Sequence, residues 1–470
     1  MPKSFFLPYL KSEKIHDASL RVLENTGVKL EQPEALDLML AAGARKDKEG
    51  RVLVPRKMVE EALEKARRRG GLKLYDQEGK RPIELRVGKT HYGPGGDALY
   101  NLDLDSGKKR KSVLSDVRNN VRIADALPNF DFIMSMALPE ELDSDKLYPT
   151  VFAEMTKNTA KPIVATFVSM EDMKHIHDIA AIVAGSKEKL LKKPFYIAHL
   201  DPISPLIMDD NSVSKLLFAA ENNIPVLYAA AANCGGSAPI TPEGAVAQGS
   251  AESLAGLVVA TLKNENIQFI YGSNTSSLDM KSTIVCYGDP TWFRTTAMYA
   301  DMGRFYNLPS WGTAGSSDSF QVDAQAAMEA YEGISLGLMA GTTMAHDVGL
   351  LAHGELYDPR MLVLTDMMIG RARQILRPVD LSEDALAIDV IDEVARSGDV
   401  FLAHPHTAKK FREALWLPPK YINRKHISYD HGQEIEELLL QEVKSILESH
   451  QPKLLSAQKE KEVDEYLKGI

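Results

Sequence analysis

A chain of 470 residues that is 44% hydrophobic and 26% charged has the composition of a folded globular protein, long enough for a barrel with attached helices. Its formal net charge of −10 argues against a nucleic-acid surface. The two cysteines, Cys234 and Cys286, supply neither a disulfide framework nor a CxxC zinc pattern, and they fit a reducing cytoplasm.

The start, MPKSFFLPYLKSEKIHD, holds an apolar run too short, and broken too soon by Pro8, for a signal peptide. No apolar run reads as long enough to span a membrane, so no membrane partner is expected. Residues 1–89 read as a mostly helical cap. Helices are predicted over Ile15–Thr26, stopped by Gly27, over Pro33–Ala42, closed by Gly43, and over Pro55–Arg69, ending at Gly70-Gly71. Arg51–Pro55 reads as a short strand.

From His91 a period of roughly 30 to 40 residues sets in, with apolar runs alternating with helical segments. Eight candidate strands begin at Tyr92, Phe132, Pro162, Pro194, Pro225, Gln268, Pro309 and Thr342. Four open on proline, where a missing N–H does least harm. A hairpin-like insertion, Ala98–Lys111, turns at Asp105-Ser106-Gly107. Helices are predicted over Asp145–Lys157, Met170–Ala184, Thr241–Lys263 and Asp289–Tyr306. Thr241-Pro242 and Asp289-Pro290 each place a capping residue before proline at the first helical position. The strands are continuous apolar runs, as expected when both faces are buried. The fold class is therefore α/β, an eight-stranded parallel (β/α)8 barrel over residues 90–376. An open doubly wound sheet is the alternative. Residues 377–470 read as a helical extension, with helices over Ser382–Arg396, Thr407–Leu415 and Gly432–His450. The tail after Pro452 reads as a solvated helix or frayed end.

In such a barrel the active site sits at the carboxyl ends of the strands. Residues placed there are Gly95, Gly96 and Asp97, then Phe167, His199, Asp201, Asn233, Cys234 and Asn274. The loop Ser316-Ser317-Asp318 follows, and then His346 and Asp347. For any one of them the plain alternative is a satisfied hydrogen-bonding group at a strand end, and for Asp323 a helix cap. His175 and His177 lie two apart within a helical pattern and do not face together. Thr407 is expected to cap the helix that follows His404-Pro-His406. No metal site is expected. Asp318 and Asp323 would repel a phosphate dianion at the serine-rich loop, whereas a carboxylate is a milder demand.

The runs GSSDS…DAQAAMEA, GLMAGTTMAHDVG and GDVFLAHPHTAKKFREALWLP, with DLDSGKKRKSVLSDVRNNVRIADALPNFDF, resemble the trimethylamine methyltransferase superfamily over nearly the whole chain. The resemblance implies an eight-stranded barrel and transfer of a methyl group from a methylamine to the Co(I) centre of a separate corrinoid protein. Archaeal trimethylamine members carry a pyrrolysine near the end of the last strand, where this chain reads His346-Asp-Val-Gly-Leu-Leu351. The chain is thus similar to the non-pyrrolysine branch, whose members demethylate glycine betaine, carnitine, proline betaine or γ-butyrobetaine. No segment supplies the DxHxxG-type spacing by which a carrier domain holds cobalt's lower ligand. The cobalamin is accordingly expected on the partner, with no cofactor bound by this chain.

A quaternary nitrogen needs no general acid, because it leaves as a neutral tertiary amine. Aromatic faces suit such an ammonium, and Tyr92, Phe167, Tyr228, Trp311 and Tyr357 are the candidates, with ordinary core packing as the alternative. Strand-end placement then puts His346 and Asp318 near the transferred methyl, since both follow adjacent strands. Gly96, Asp97, His199, Asn274, Ser316, Ser317 and Asp347 would bind substrate with the aromatics. Competing readings are a betaine-binding protein without transfer activity and a metal-dependent barrel hydrolase. The oligomeric state stays open, a homo-oligomer included.

Overall fold

Seven of the apolar runs become strands of one parallel sheet. They are β1 (His91–Tyr92), β2 (Ile163–Ala165), β3 (Tyr196–Leu200), β4 (Val226–Tyr228), β5 (Phe269–Gly272), β6 (Ser310–Thr313) and β7 (Met344–His346). In this computed structural model, which describes residues 5–69, 71–424, 434–452 and 454–470, the strands lie in the order β1-β7-β6-β5-β4-β3-β2. Every neighbour is parallel. Trp311 stands opposite Met344, Thr313 opposite His346, and Leu200 opposite Tyr228. Side chains alternate across a strand. Val164, Ile197, Leu227, Ile270, Trp311 and Met344 point inward and meet in one cluster, so the sheet curls around its own interior.

The sheet has seven strands rather than the eight expected. The run that starts at Phe132 makes only an isolated bridge, Ile133 to Ile163. It still spans the gap between the two edges: Asp131 N–H donates to the Tyr92 carbonyl (2.7 Å) and Ile133 N–H to that of Pro162 (2.9 Å). Two features keep it from laying a ladder. Met136 takes a left-handed φ of +57°, which ends the extended path. Tyr92 N–H donates to the Asp131 carboxylate instead of to a backbone carbonyl.

Below the amino ends of the strands lies an antiparallel hairpin that the helical reading of residues 1–89 overlooks, Leu72–Tyr75 paired with Pro82–Leu85. Its Leu72, Leu74 and Leu85 join the interior cluster and close that end. The rest of this segment holds the helices Tyr9–Asn25, Pro33–Ala41 and Arg56–Arg67, the expected short strand as Val52–Leu53 paired with Arg45–Lys46, and Lys29–Leu30 paired with Ile207–Met208. Gly70 lies outside the described residues.

Helices flank the outer face. Pro242–Lys263 and Pro290–Tyr306 begin at the expected proline signals, and Asp289 accepts from Thr291 N–H. Asp323 caps Ala324–Ala340 by accepting from Ala326 N–H (2.8 Å). Contrary to expectation, Pro242–Lys263 is long and apolar enough to cross a membrane, but 89% of its most apolar stretch is buried. Helices Tyr9–Asn25, Arg56–Arg67 and Asp210–Glu221 pack on it.

The insertion Tyr100–Lys111 is a hairpin, as expected, with Gly107 at φ +68° in its turn. Toward the carboxyl terminus two expectations change. The helix over 382–396 is split at Ala387 (φ +49°) into Glu383–Leu386 and Ile388–Ser397. The next helix, Pro405–Ala414, is capped by His404, not Thr407, whose hydroxyl donates to the Phe401 carbonyl. The tail takes the helical one of its two readings, as helix Ala457–Lys468, which buries Val463 and packs on Met170–Ala184. The charged helix is described over Ile435–Ser449, and its expected start at Gly432 lies outside the described residues.

Candidate functional site at the carboxyl ends of the strands

The alternation that fills the interior also decides which strand-end side chains reach the open end. Ile197 points inward, and so does His199 two residues on; the same parity carries Met344 to His346 and Ile270 to Asn274. These side chains line a cavity of about 390 Å³. Gly96, Asp97, Met134, Thr166, Asp201, Ala231, Asn233, Ser276, Val285, Tyr287, Trp292 and Asp347 complete its wall.

Trp311 lies beneath. Its ring stacks on His346 at 4.1 Å between centroids and 20° between planes, and its indole N–H donates to Asn274 Oδ1 (3.1 Å). His346 Nε2 donates to the same oxygen (3.0 Å). His346 Nδ1 stands 2.9 Å from Asp347 Oδ1 but is poorly aligned for a hydrogen bond. Asp347 Oδ2 accepts from the Thr313 hydroxyl (3.0 Å). Across the cavity, Ser135 Oγ accepts from Asp97 N–H (2.8 Å) and donates to Asp97 Oδ1 (2.7 Å). Burial lifts the Asp97 carboxyl above its ordinary range, although the Ser135 and Thr166 hydroxyls oppose this. At His199 burial works against protonation, but Asp201, Asp347 and Asp97 outweigh it and raise the pKa. Gly95 is required here, since a Cβ would lie 2.4 Å from Asp347 Oδ1.

Eight of the strand-end residues thus come together: Gly96, Asp97, His199, Asp201, Asn233, Asn274, His346 and Asp347. Trp311 supports them from below. The others do not line the cavity. Tyr92 has the outward parity and donates to the Ile334 carbonyl of the flanking helix (2.7 Å). Tyr228 also faces out, against Gly256, where a Cβ would meet its ring at 2.2 Å. Phe167 follows the lining residue Thr166 and belongs to the outer cluster. The Tyr357 hydroxyl accepts from Gly95 N–H (2.6 Å), behind the wall.

The loop Ser316–Asp318 is also behind the wall. Ser316 Oγ donates to the Tyr287 carbonyl (3.0 Å), and Ser317 Oγ donates to Glu329. Asp318 Oδ1 accepts from Tyr287 N–H (2.6 Å) and stands 2.9 Å from His353 Nδ1. Both contacts hold neighbouring residues, so the carboxylate expected beside the methyl group instead positions the Tyr287 segment. His175 and His177 do part company, the first contacting Tyr466 and the second Tyr196.

The aromatic pair that does face the cavity, Tyr287 and Trp292, was not among the candidates; their rings meet edge to face at 4.4 Å. A signal for Trp292 exists. Asp289-Pro290 marks a helix start, and after a parallel strand the first helical turn lies at the carboxyl end of the sheet.

An α/β fold with a curled parallel sheet, and an acid- and aromatic-lined cavity at its strand ends, defines the class. A solved structure of similar fold is the monomethylamine methyltransferase MtmB of Methanosarcina barkeri, aligned over 98% of this chain and 87% of that one with a TM-score of 0.53 and 13% identity. At that identity the likeness concerns the fold alone. A family model described as trimethylamine methyltransferase (MTTB) matches residues 6–469. The chain belongs to this family of methyltransferases. Relatives include the trimethylamine methyltransferase MttB of Desulfitobacterium hafniense strain DSM 10664 / DCB-2, 29% identical over 85% of this chain and 80% of that protein. The glycine betaine methyltransferase of strain Y51 is 27% identical over 89% of this chain and 87% of that protein.

Proposed function

We propose that this protein moves a methyl group from a quaternary ammonium compound to the Co(I) centre of a separate corrinoid protein, in the cytoplasm. Glycine betaine, leaving as dimethylglycine, is the substrate the family resemblance favours, with other betaines next. The observation that carries the reading is the cavity at the strand ends. Tyr287 and Trp292 offer aromatic faces to an ammonium, Asp97 and Asp347 offer charge, and no lysine or arginine lines the wall among the described residues. The carbon–nitrogen bond breaks with its electron pair left on nitrogen, and the methyl carbon takes cobalt's pair. The leaving amine is neutral and needs no proton.

The chain's own work is to desolvate and aim. Packed side chains below the cavity exclude water from that side, and the stacked Trp311–His346 pair gives the floor a fixed shape. We further propose that the corrinoid stays on its carrier throughout. The test is to mix the protein, a reduced corrinoid protein and each of a panel of methylated amines. The expected result is conversion of the Co(I) absorbance to that of methyl-Co(III) with a quaternary amine. Transfer from trimethylamine alone, or a purified chain carrying its own cobalamin spectrum, would overturn the respective parts.

A further inference from the structure

Several carboxylates elsewhere in the core are answered by arginines. Asp358 is held by Arg360 (2.6 Å), Glu154 by Arg118 (2.6 Å), and Asp301 by Arg304. Others have no arginine but are answered by neutral donors, Glu252 by three and Asp366 by two, whereas Asp347 accepts only from the Thr313 hydroxyl among the described residues. Asp97, Asp201 and Asp347 all line the cavity, and none pairs with a lysine or arginine among the described residues. Asp201 is 46% exposed at the mouth, where water screens it, but the Asp347 side chain is only 8% exposed. Lys215 comes near, yet its ammonium is held by the Phe167 and Val168 carbonyls behind the wall. A buried, unpaired carboxylate is costly unless a cation completes it.

The second observation is His199. Its side chain is nine-tenths buried and lines the cavity, and neither ring nitrogen has a hydrogen-bond partner. Asp201 Oδ1 lies 3.2 Å from Nε2 without the alignment of a hydrogen bond. A neutral imidazole offers one donor and one acceptor, which matches a hydroxyl. If protonated, it faces Asp201, which answers that charge.

A zwitterionic betaine would bring its own carboxylate into this wall. It would meet three aspartates and no fixed cation. We propose that the cavity selects a net-cationic quaternary ammonium with a neutral, hydroxyl-bearing tail, of the choline type, over zwitterionic betaines. The ammonium lies between Asp97, Asp347 and the Tyr287–Trp292 pair, and the hydroxyl reaches His199. This rests on the quaternary-amine reading above, and within it the charge of the wall sets aside the betaines that the family resemblance favours. With choline as donor, the nitrogen–methyl bond breaks and neutral 2-(dimethylamino)ethanol leaves.

The test is calorimetric titration of the full chain with choline, tetramethylammonium and glycine betaine at fixed low salt, beside methyl transfer to Co(I) from each. Choline is expected to bind at least about tenfold more tightly than glycine betaine, a gap of about 1.4 kcal/mol. Asp347→Asn, checked for a native melting curve, should close most of that gap, and Asp347→Glu should keep part of it. Equal or tighter binding of glycine betaine overturns the proposal, and so does the absence of choline binding. Tight choline binding without methyl transfer from any amine would leave the selectivity standing and sink the transfer reading instead.

Discussion

Asp97 and Asp347 take left-handed backbone conformations, with φ of +58° and +68°, and both line the cavity. Such conformations cost roughly 1 kcal/mol or more for a residue with a Cβ, and they persist where neighbours hold them. Ser135 holds Asp97, and Thr313 holds Asp347. Protonation then tunes the pair. Asp97 titrates above the ordinary 3.8 and His199 above the ordinary 6.5. His346, Tyr287, Tyr148 and the tied ammonium of Lys215 are further ionisable groups that share this region with the three aspartates. As pH rises through the Asp97 window the cavity gains a negative charge, and through the His199 window it loses a positive one. Both changes favour a cation, so affinity for tetramethylammonium should climb as pH rises from above the ordinary carboxylate range to beyond the ordinary imidazole range, and then level. Titrations at fixed ionic strength check this, and a flat or falling profile would remove these two groups from cation binding. At this scale the sequence makes His199, Asn274, His346, Asp97 and Asp347 legible, because each sits at a strand end. It misplaces Tyr92 and Tyr228, because a strand end has two faces and only the parity shared with Ile197, Ile270 and Met344 says which one is inside.

Strands and helices divide the labour by end. The hairpin of Leu72–Tyr75 and Pro82–Leu85 closes the amino end, with Leu74 fully buried, and the catalytic reading places nothing there. Leu74→Ala should cost about 2–5 kcal/mol of stability through lost burial and the space left behind. Methyl transfer per folded molecule should stay near the parent value. Melting curves beside transfer rates decide it, and a large loss of rate in still-folded protein would show that the two ends are coupled. The hairpin is hard to see from composition because both strands are short and carry charge on one side. The helices are easier, since Asp289-Pro290 and Asp323 fix their starts in the local chemistry. The apolar run at Phe132 looks like any other strand. Nothing in its hydrophobicity announces the left-handed turn at Met136 that keeps it out of the ladder.

For the molecule as a whole, the sheet acts as a cup. Leu72, Leu74 and Leu85 plug the base, the cluster from Phe132 to Met344 fills the shaft, and the cavity lies at the other end. One small three-stranded sheet, of Asn233–Cys234, Ser276–Leu278 and Val285–Cys286, contributes Asn233, Ser276 and Val285 to the wall. The packed shaft offers the amine no passage along the barrel axis. A methyl acceptor as large as a protein-bound corrinoid must then approach the same mouth that admits the amine. The order of events follows from that geometry: amine enters first, carrier docks second, and the demethylated amine leaves only after the carrier has gone. Steady-state rates should therefore show compulsory-order behaviour, with excess carrier inhibiting at low amine concentration and saturating amine relieving it. Random-order kinetics, with no inhibition by excess carrier, would mean that the amine has a second way in, and a single stoppered vessel would be the wrong picture of this enzyme's traffic.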